Sequence, residues 1–364
     1  MSNKKIDEAF TKAIAQGIFP GAALAVAKAG KVLEKSCYGF AEKIPVERKL
    51  SFKNYFDIAS LTKPLCTAMI SMVLVEQGKL KLEEPVGTYY RRFRKAPYDQ
   101  IILKHLLQHT SGLPAYKPYY EKLSDMVIKG EALEDIKKEL LRHILSESLE
   151  EEVRIGSTRL YSDLGYILMG DILEQVTQKP LDKLFLELVA RPLKLNDTFF
   201  IPLNSKTKLP RTDFVSTSKS SLRRKILAGE VEDEHAWMLN GVAGHAGLFS
   251  TLPDLMKWGE ELIKINEGKS KFLKKETLQL FTHARPPLGW DKPAEENSQA
   301  GELFPKSGIG HLGYTGCSFW IDLDREFYII LLTNRVHPYR YNEGIKKFRP
   351  MIQDLILQSY RLIR

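Results

Sequence analysis

Apolar positions near the start of the chain fall at helical spacing. Ile6, Phe10, Ala13, Ile14 and Ile18 recur between Asp7, Glu8 and Lys12, which predicts an amphipathic helix over 3–17 stopped by Gly17 and Pro20. The period then changes. Residues 22–27 are almost wholly apolar, residues 31–38 mix charged and apolar positions, and Lys28-Ala-Gly-Lys31 lies between them. A β-hairpin is expected there, its second strand with one wet face. Residues 60–77 are apolar on nearly every side and end at Gly78, the pattern of a helix buried between layers. From about 80 to 200 helical spacing dominates, with helices expected over 101–108, 118–129, 131–148 and 163–177. Residues 203–230 are rich in Lys and Ser and read as an exposed loop. Thr251-Leu-Pro-Asp254 reads as a cap opening a helix over 252–265. Residues 316–322 and 326–333 form a second hairpin around Asp322-Leu-Asp-Arg325, and 344–361 close the chain as a helix.

Strands at both ends with helices between them predict an α/β (α+β) fold. One antiparallel sheet, built from both chain ends and flanked by helices, carries an inserted all-helical lobe. The chain 1–364 then forms a single module, with a sheet subdomain over approximately 1–60 and 235–364 and the helical lobe over approximately 61–200.

Composition narrows the class of function. At 43% hydrophobic and 27% charged the usage is that of an ordinary globular protein, and 364 residues bury a sizeable core without disulfides. Cys37, Cys66 and Cys317 are odd in number and form no CxxC, so no disulfide framework is expected and a reducing, cytoplasmic setting fits best. No run of 18 apolar residues occurs, which predicts no membrane span, and the first helix is too charged for a signal sequence. The formal charge of +9 favours anionic partners. Its basic clusters are short, Arg91 to Lys95 and Lys219 to Lys225, without the aromatic-interleaved stripe of a nucleic-acid groove. His235, in Glu232-Asp-Glu-His235, has the character of a metal ligand. The eight histidines are scattered, however, with no HExxH or HxH pair, so no catalytic metal is expected. No glycine-rich phosphate loop follows a strand, and no cofactor is expected.

Three segments carry candidate chemistry. In Phe56-Asp-Ile-Ala-Ser60-Leu-Thr-Lys63-Pro64, Ser60 and Lys63 share one helical face. The Pro64 ring would clash with a helical carbonyl at Ser60, so the helix should begin at about Ser60. A serine there has its hydroxyl near free N–H groups and the positive end of the dipole. Its proton must still go to a base, and a lysine serves only where burial lowers its pKa. Ser2–Lys5, Ser205–Lys208 and Ser216–Lys219 show the same spacing in polar surroundings, whereas Ser60–Lys63 heads an apolar helix. Alone, Ser60 is equally what a plain N-cap would be. In Leu160-Tyr161-Ser162-Asp163, Asp163 suits a helix N-cap or first turn and Tyr161 sits just outside it. Gly308-Ile-Gly-His311-Leu-Gly313-Tyr314-Thr-Gly316 is glycine-rich before a strand, which lets backbone approach a ligand closely. His311 adds a group that ordinarily titrates near neutrality. His109 reads as a turn residue, and His245 as a loop histidine bonded to backbone.

Taken together, these segments resemble the three motifs of the β-lactamase and penicillin-binding protein group: S-x-x-K, Y-x-N and K-T-G. The likeness runs over roughly 18–340 and includes His109-Thr-Ser-Gly-Leu-Pro114, Gly241-Val-Ala-Gly-His-Ala-Gly-Leu-Phe-Ser-Thr251 and Leu332-Thr-Asn-Arg335. The resemblance implies the β-lactamase/transpeptidase-like fold and a set of roles. Ser60 attacks a carbonyl, Lys63 accepts or relays its proton, and Tyr161 passes that proton to the leaving group. Asp163 stands for the group's asparagine and holds Lys63. His311 stands for the lysine of the third motif, and Gly313 lets the strand pass close to substrate. The N–H groups of Ser60 and Tyr314 form the oxyanion hole. The H-x-G form resembles D-aminopeptidase and esterase-like members. Leu312 stands where β-lactam-binding members carry a hydroxyl that holds the substrate carboxylate, which speaks against efficient β-lactamase or DD-peptidase activity. Asp163 should keep Lys63 protonated and move the base role toward Tyr161. The expected function is a serine hydrolase acting on a small ester, amide or D-amino-acid peptide. A β-lactamase or DD-peptidase, and a non-catalytic binding protein on the same fold, are the alternatives.

Overall fold

The computed structural model describes residues 3–205 and 209–363. Helix α1 (Lys4–Ala15) is capped by Asn3, whose side chain accepts from the Lys5 N–H at 3.1 Å. Strands β1 (Gly21–Lys28) and β2 (Lys31–Glu42) form the predicted hairpin, with β2 running on past the expected Tyr38. Next come β3 (Arg48–Lys49) and β4 (Phe56–Asp57). The helical middle holds α2 (Met69–Glu76), α3 (Leu103–Leu107), α4 (Tyr120–Ile128), α5 (Leu133–Ser146), α6 (Asp163–Thr177) and α7 (Leu181–Phe185). After β5 (Phe199–Phe200), β6 (Lys219–Ser220) and β7 (Lys225–Ile226) come α8 (Glu234–Met238) and β8 (Leu248–Ser250). Helices α9 (Leu252–Asn266) and α10 (Lys275–Thr282) lead to β9 (Ile309–Leu312), β10 (Ser318–Asp322), β11 (Phe327–Thr333) and α11 (Ile345–Ser359).

Both chain ends supply the main antiparallel sheet, in the order β3-β2-β1-β11-β10-β9. Its centre explains the apolar run at 22–27. Ala22, Leu24 and Val26 face one core with Phe10, Phe348 and Ile352 of α1 and α11; Ala23, Ala25 and Ala27 face the other with Met69 and Trp258. A strand covered on both faces has to be apolar at every position. Each fully buried Leu, Ile or Phe in such a core contributes about 1.5–3 kcal/mol. A small second sheet, β4-β8-β5, lies under the start of the apolar helix and carries Asp57 to the end of β4.

Two expectations need correction. The helix expected over 60–77 is three pieces: a tight 3-10 turn at Ala59–Leu61, wide π turns over Lys63–Ala68, and α2. Pro64 explains the break, because it lacks an N–H and its ring does not fit beneath an α-helical Ser60 carbonyl. By length and composition Ala59–Glu76 could cross a membrane, yet 83% of it is buried inside the fold. The stretch 203–230 is not all exposed loop. Phe214 packs with Ile201 and Phe249, and Val215, Ser216, Thr217 and Ser218 are buried. Several of its polar groups are hydrogen-bonded: the Ser216 N–H donates to the Ala41 carbonyl at 2.8 Å, and the Ser218 hydroxyl to Glu232 at 2.7 Å. In the third match Ser216 is buried and Lys219 exposed. Ser2 and Lys208, from the other two matches, lie outside the described residues.

Candidate active site

The turn that presents Ser60 is held from below. The Asp57 carboxylate accepts the Ala59 N–H at 2.8 Å and the Glu232 N–H at 2.6 Å. Between Asp57 and Ser60, Ala59 takes φ +48°, a left-handed conformation that costs a non-glycine residue about 1–2 kcal/mol. The Thr315 hydroxyl donates to the Asp57 carbonyl at 2.8 Å and ties this turn to the loop after β9.

Lys63 is fully buried, and its ammonium donates to two acceptors and forms an ion pair with a carboxylate. Nζ lies 2.9 Å from Ser60 Oγ, 3.2 Å from the His245 carbonyl and 2.7 Å from Asp163 Oδ1. Burial alone would depress the amine, but the Asp163 carboxylate and Tyr161 outweigh it and hold Lys63 above its ordinary value. The Tyr161 ring lies beside Lys63, its centre 4.8 Å from Nζ. Burial raises the phenol to about 12, with Asp163 adding to the rise and Lys63 opposing it.

The second segment is set by a helix start. Ser162 caps α6, accepting the Gly165 N–H at 3.2 Å and donating to the Pro114 carbonyl at 2.7 Å. Asp163 therefore sits in the first turn, as predicted, aimed at Lys63. His109 stands behind Tyr161, ring centroids 4.4 Å apart, and its Nδ1 accepts the Ser162 N–H at 3.0 Å. Burial, with help from nearby cations, keeps this imidazole neutral, as an acceptor must be.

The third segment closes the other wall. A Cβ on Gly313 would stand 2.6 Å from the Ile58 carbonyl oxygen, so only glycine lets the strand end pass this close to the Ser60 turn. Neither the Ser60 nor the Tyr314 N–H is used in a turn, loop or cap bond among the described residues. His311 is buried beside Tyr161, ring centroids 5.9 Å apart. Its Nδ1–H donates to the Leu312 carbonyl at 2.8 Å, leaving Nε2 as a bare acceptor. The near-neutral titration expected for His311 is corrected: burial pushes the imidazole below its ordinary value. A cavity of about 560 Å³ opens over this constellation and is lined by Ser60, Tyr161, Asp163, Leu312, Gly313 and Tyr314. A larger hollow of about 810 Å³, near Tyr90 and Lys137, touches none of these residues.

The Beta-lactamase family profile matches residues 6–349. An N-acetylmuramyl-L-alanine amidase of Bacillus subtilis (strain 168) is 32% identical over 92% of this chain and 81% of its own. The chain belongs to the beta-lactamase family. Solved structures agree on the fold. The octameric penicillin-binding protein homologue from Pyrococcus abyssi superposes with a TM-score of 0.74 at 19% identity, covering 98% of this chain and 78% of that one. EstCE1, a hydrolase with promiscuous acyltransferase activity, gives 0.70 at 21% identity, covering 95% and 98%.

Within the family's motif positions, this chain gathers Ser60, Tyr161 and Asp163 around the Lys63 ammonium. Gly313 and Tyr314 face it across the cavity, and His311 sits at its side as a neutral acceptor where the motif has a cation. Several contributors carried no local signal. Asp57 shows only as one carboxylate before the motif, and the His245 carbonyl only through the fold. Arg335 and Arg349 also reach the cavity wall. Arg335 donates to the Tyr314, Arg340 and Asn342 carbonyls, and Arg349 to Gln299 and the Gly316 carbonyl. Neither has a carboxylate within ion-pair distance among the described residues, and Glu343 acts on Arg335 only from farther off. Burial pulls Arg349 down to about 10.

Proposed function

We propose that this beta-lactamase family member is a serine hydrolase that works through a Ser60 acyl-enzyme on a small amide or ester carrying an anionic group. The observation that carries the reading is Lys63 Nζ at 2.9 Å from Ser60 Oγ, buried and anchored by Asp163 at the floor of an open cavity. In acylation the Ser60 Oγ–carbonyl bond forms and the substrate C–N or C–O bond breaks. The Ser60 proton passes through Tyr161 to the leaving nitrogen or oxygen. Lys63 remains an ammonium and stabilises the phenolate character that Tyr161 acquires. The Ser60 and Tyr314 N–H groups bind the oxyanion, at about 3–4 kcal/mol per donor. Water then attacks the acyl carbon, its proton passes through Tyr161 to Ser60 Oγ, and the Oγ–acyl bond breaks to release the acid and restore Ser60.

The unpaired Arg335 and Arg349 support an anionic substrate group, because a cation in the cavity wall without its own carboxylate favours one from outside. The Bacillus subtilis relative's name makes the amide of a muramyl-type peptide the first bond to try. Leu312 offers no hydroxyl, which disfavours β-lactams. The test is to incubate the protein with a fluorophosphonate probe and a p-nitrophenyl ester, beside Ser60→Ala and Lys63→Ala. An adduct mapped to Ser60, with turnover lost in both variants, is the expected result. Turnover that survives Ser60→Ala would refute the assignment.

A further inference from the structure

Beside the nucleophile, three side chains converge that the acyl-enzyme chemistry does not use. Asp233 caps α8 and lines the cavity, His235 sits in the first turn of α8, and His245 comes from the loop before β8. One donor atom from each lies within 4.8 Å of the other two. His235 is completely buried; the Lys117 backbone approaches its ring, but neither ring nitrogen closes a hydrogen bond of good geometry. His245 is 1% exposed; its Nε2–H donates to Asp233 Oδ1 at 2.8 Å, and its Nδ1 has no partner. Three buried ring nitrogens are thus unsatisfied in one small volume, and each such group costs about 1–3 kcal/mol when left so. The rings of Tyr116 and Tyr119 stand 5.2 and 5.7 Å from His235 and offer it aromatic faces, not acceptors. The flanking carboxylates are taken, since Glu232 and Glu234 each pair with Arg340 at 2.5 Å.

We infer that Asp233, His235 and His245 form a binding site for a zinc-class divalent cation. Two imidazole nitrogens and one carboxylate oxygen are the donors a late first-row ion takes. Calcium and magnesium would require oxygens throughout. Three protein ligands leave a fourth position for water or a substrate group, and Asp233 places the site on the cavity wall. The site satisfies nitrogens that the fold leaves bare, and it stands whether or not Ser60 is the nucleophile.

The experiment uses untagged full-length protein, stripped with chelator and titrated with Zn²⁺ by calorimetry, and in parallel with Co²⁺ followed by visible absorption. Expected are one Zn²⁺ per chain, a raised melting temperature on loading, and the absorption of a four-coordinate cobalt site. His235→Asn should weaken binding beyond the roughly 10–100-fold that even outer-shell partners cost. His235 closes no hydrogen bond of good geometry, so this variant is expected to fold, as circular dichroism will check. His245→Asn should act likewise, whereas His283→Asn, at an exposed position, should bind as the parent does. Absence of stoichiometric uptake by the parent would overturn the inference. So would uptake that survives His235→Asn, or uptake lost equally in His283→Asn.

Discussion

Replacing Asp163 by asparagine isolates the charge that holds the Lys63–Tyr161 pair protonated. Asp163 Oδ1 lies 2.7 Å from Lys63 Nζ. At an effective dielectric of about 20 this attraction is worth about 6 kcal/mol. Asparagine keeps one charge-assisted hydrogen bond, about 1.5–3 kcal/mol, so roughly 3–4 kcal/mol of proton affinity is removed. At 1.36 kcal/mol per pH unit this is roughly two to three units on Lys63; Asp163 also raises Tyr161, so loss of its charge moves the pair's first deprotonation toward acid, by roughly two units. The sign follows from which form works. In the proposed mechanism Tyr161 accepts the Ser60 proton as phenolate, and burial holds it up at about 12, so activity in the parent should climb with pH across the neutral and alkaline range. In Asp163→Asn that limb should shift to lower pH. A weaker base is a poorer one, which gives back about half of the logarithmic gain, so kcat/KM at pH 8 should rise by about tenfold. The assay is p-nitrophenyl ester hydrolysis from pH 6 to 10 in both proteins, corrected for background, with melting curves to confirm folding. A limb that stays put or moves to higher pH would refute the electrostatic reasoning and leave Asp163 a positioning acceptor only.

Three further substitutions probe the walls of the site. Gly313→Ala would place a methyl group 2.6 Å from the Ile58 carbonyl oxygen and 3.2 Å from Cys317 Cβ, displacing the Tyr314 N–H. The loss of one oxyanion donor predicts a fall of about 10²–10³ in kcat, read by ester kinetics, and unchanged kcat would count against this wall. Asp57→Asn turns an amide NH₂ toward either the Ala59 or the Glu232 N–H. It should cost about 1–3 kcal/mol in denaturant titration and slow fluorophosphonate labelling of Ser60; parental stability would show that the carboxylate does not hold the turn. Leu312→Thr restores a hydroxyl facing the cavity. Acylation by a fluorescent penicillin should quicken by about tenfold or more, and no gain, with Ser60 still open to fluorophosphonate, would rule out a carboxylate at that position.

Periodicity made the sheet and its flanking helices legible, because a strand between two cores and an amphipathic helix impose their spacing on neighbouring residues. The same locality exposed the motif positions. Ser60 and Lys63 are joined by a single turn, Asp163 is placed by the Ser162 cap, and Gly313 marks a close backbone approach. The buried polar core at 214–218 was hidden because serine and threonine read as loop until their hydrogen bonds are known. Pro64 signalled where the apolar helix starts, but not that π turns would follow. By itself, then, the sequence determined which reactive side chains exist and which of them share a turn. The tertiary structure alone decided what those side chains are chemically. Lys63 is an ammonium because Asp163 and the His245 carbonyl, from distant segments, meet it in a dry interior. His311 is neutral because burial outweighs its neighbours, and Asp233, His235 and His245 become a possible metal site only where a loop folds back onto a helix start. Protonation and ligation are settled by desolvation and by charges a few ångströms away, and those distances are set by packing, not by position along the chain.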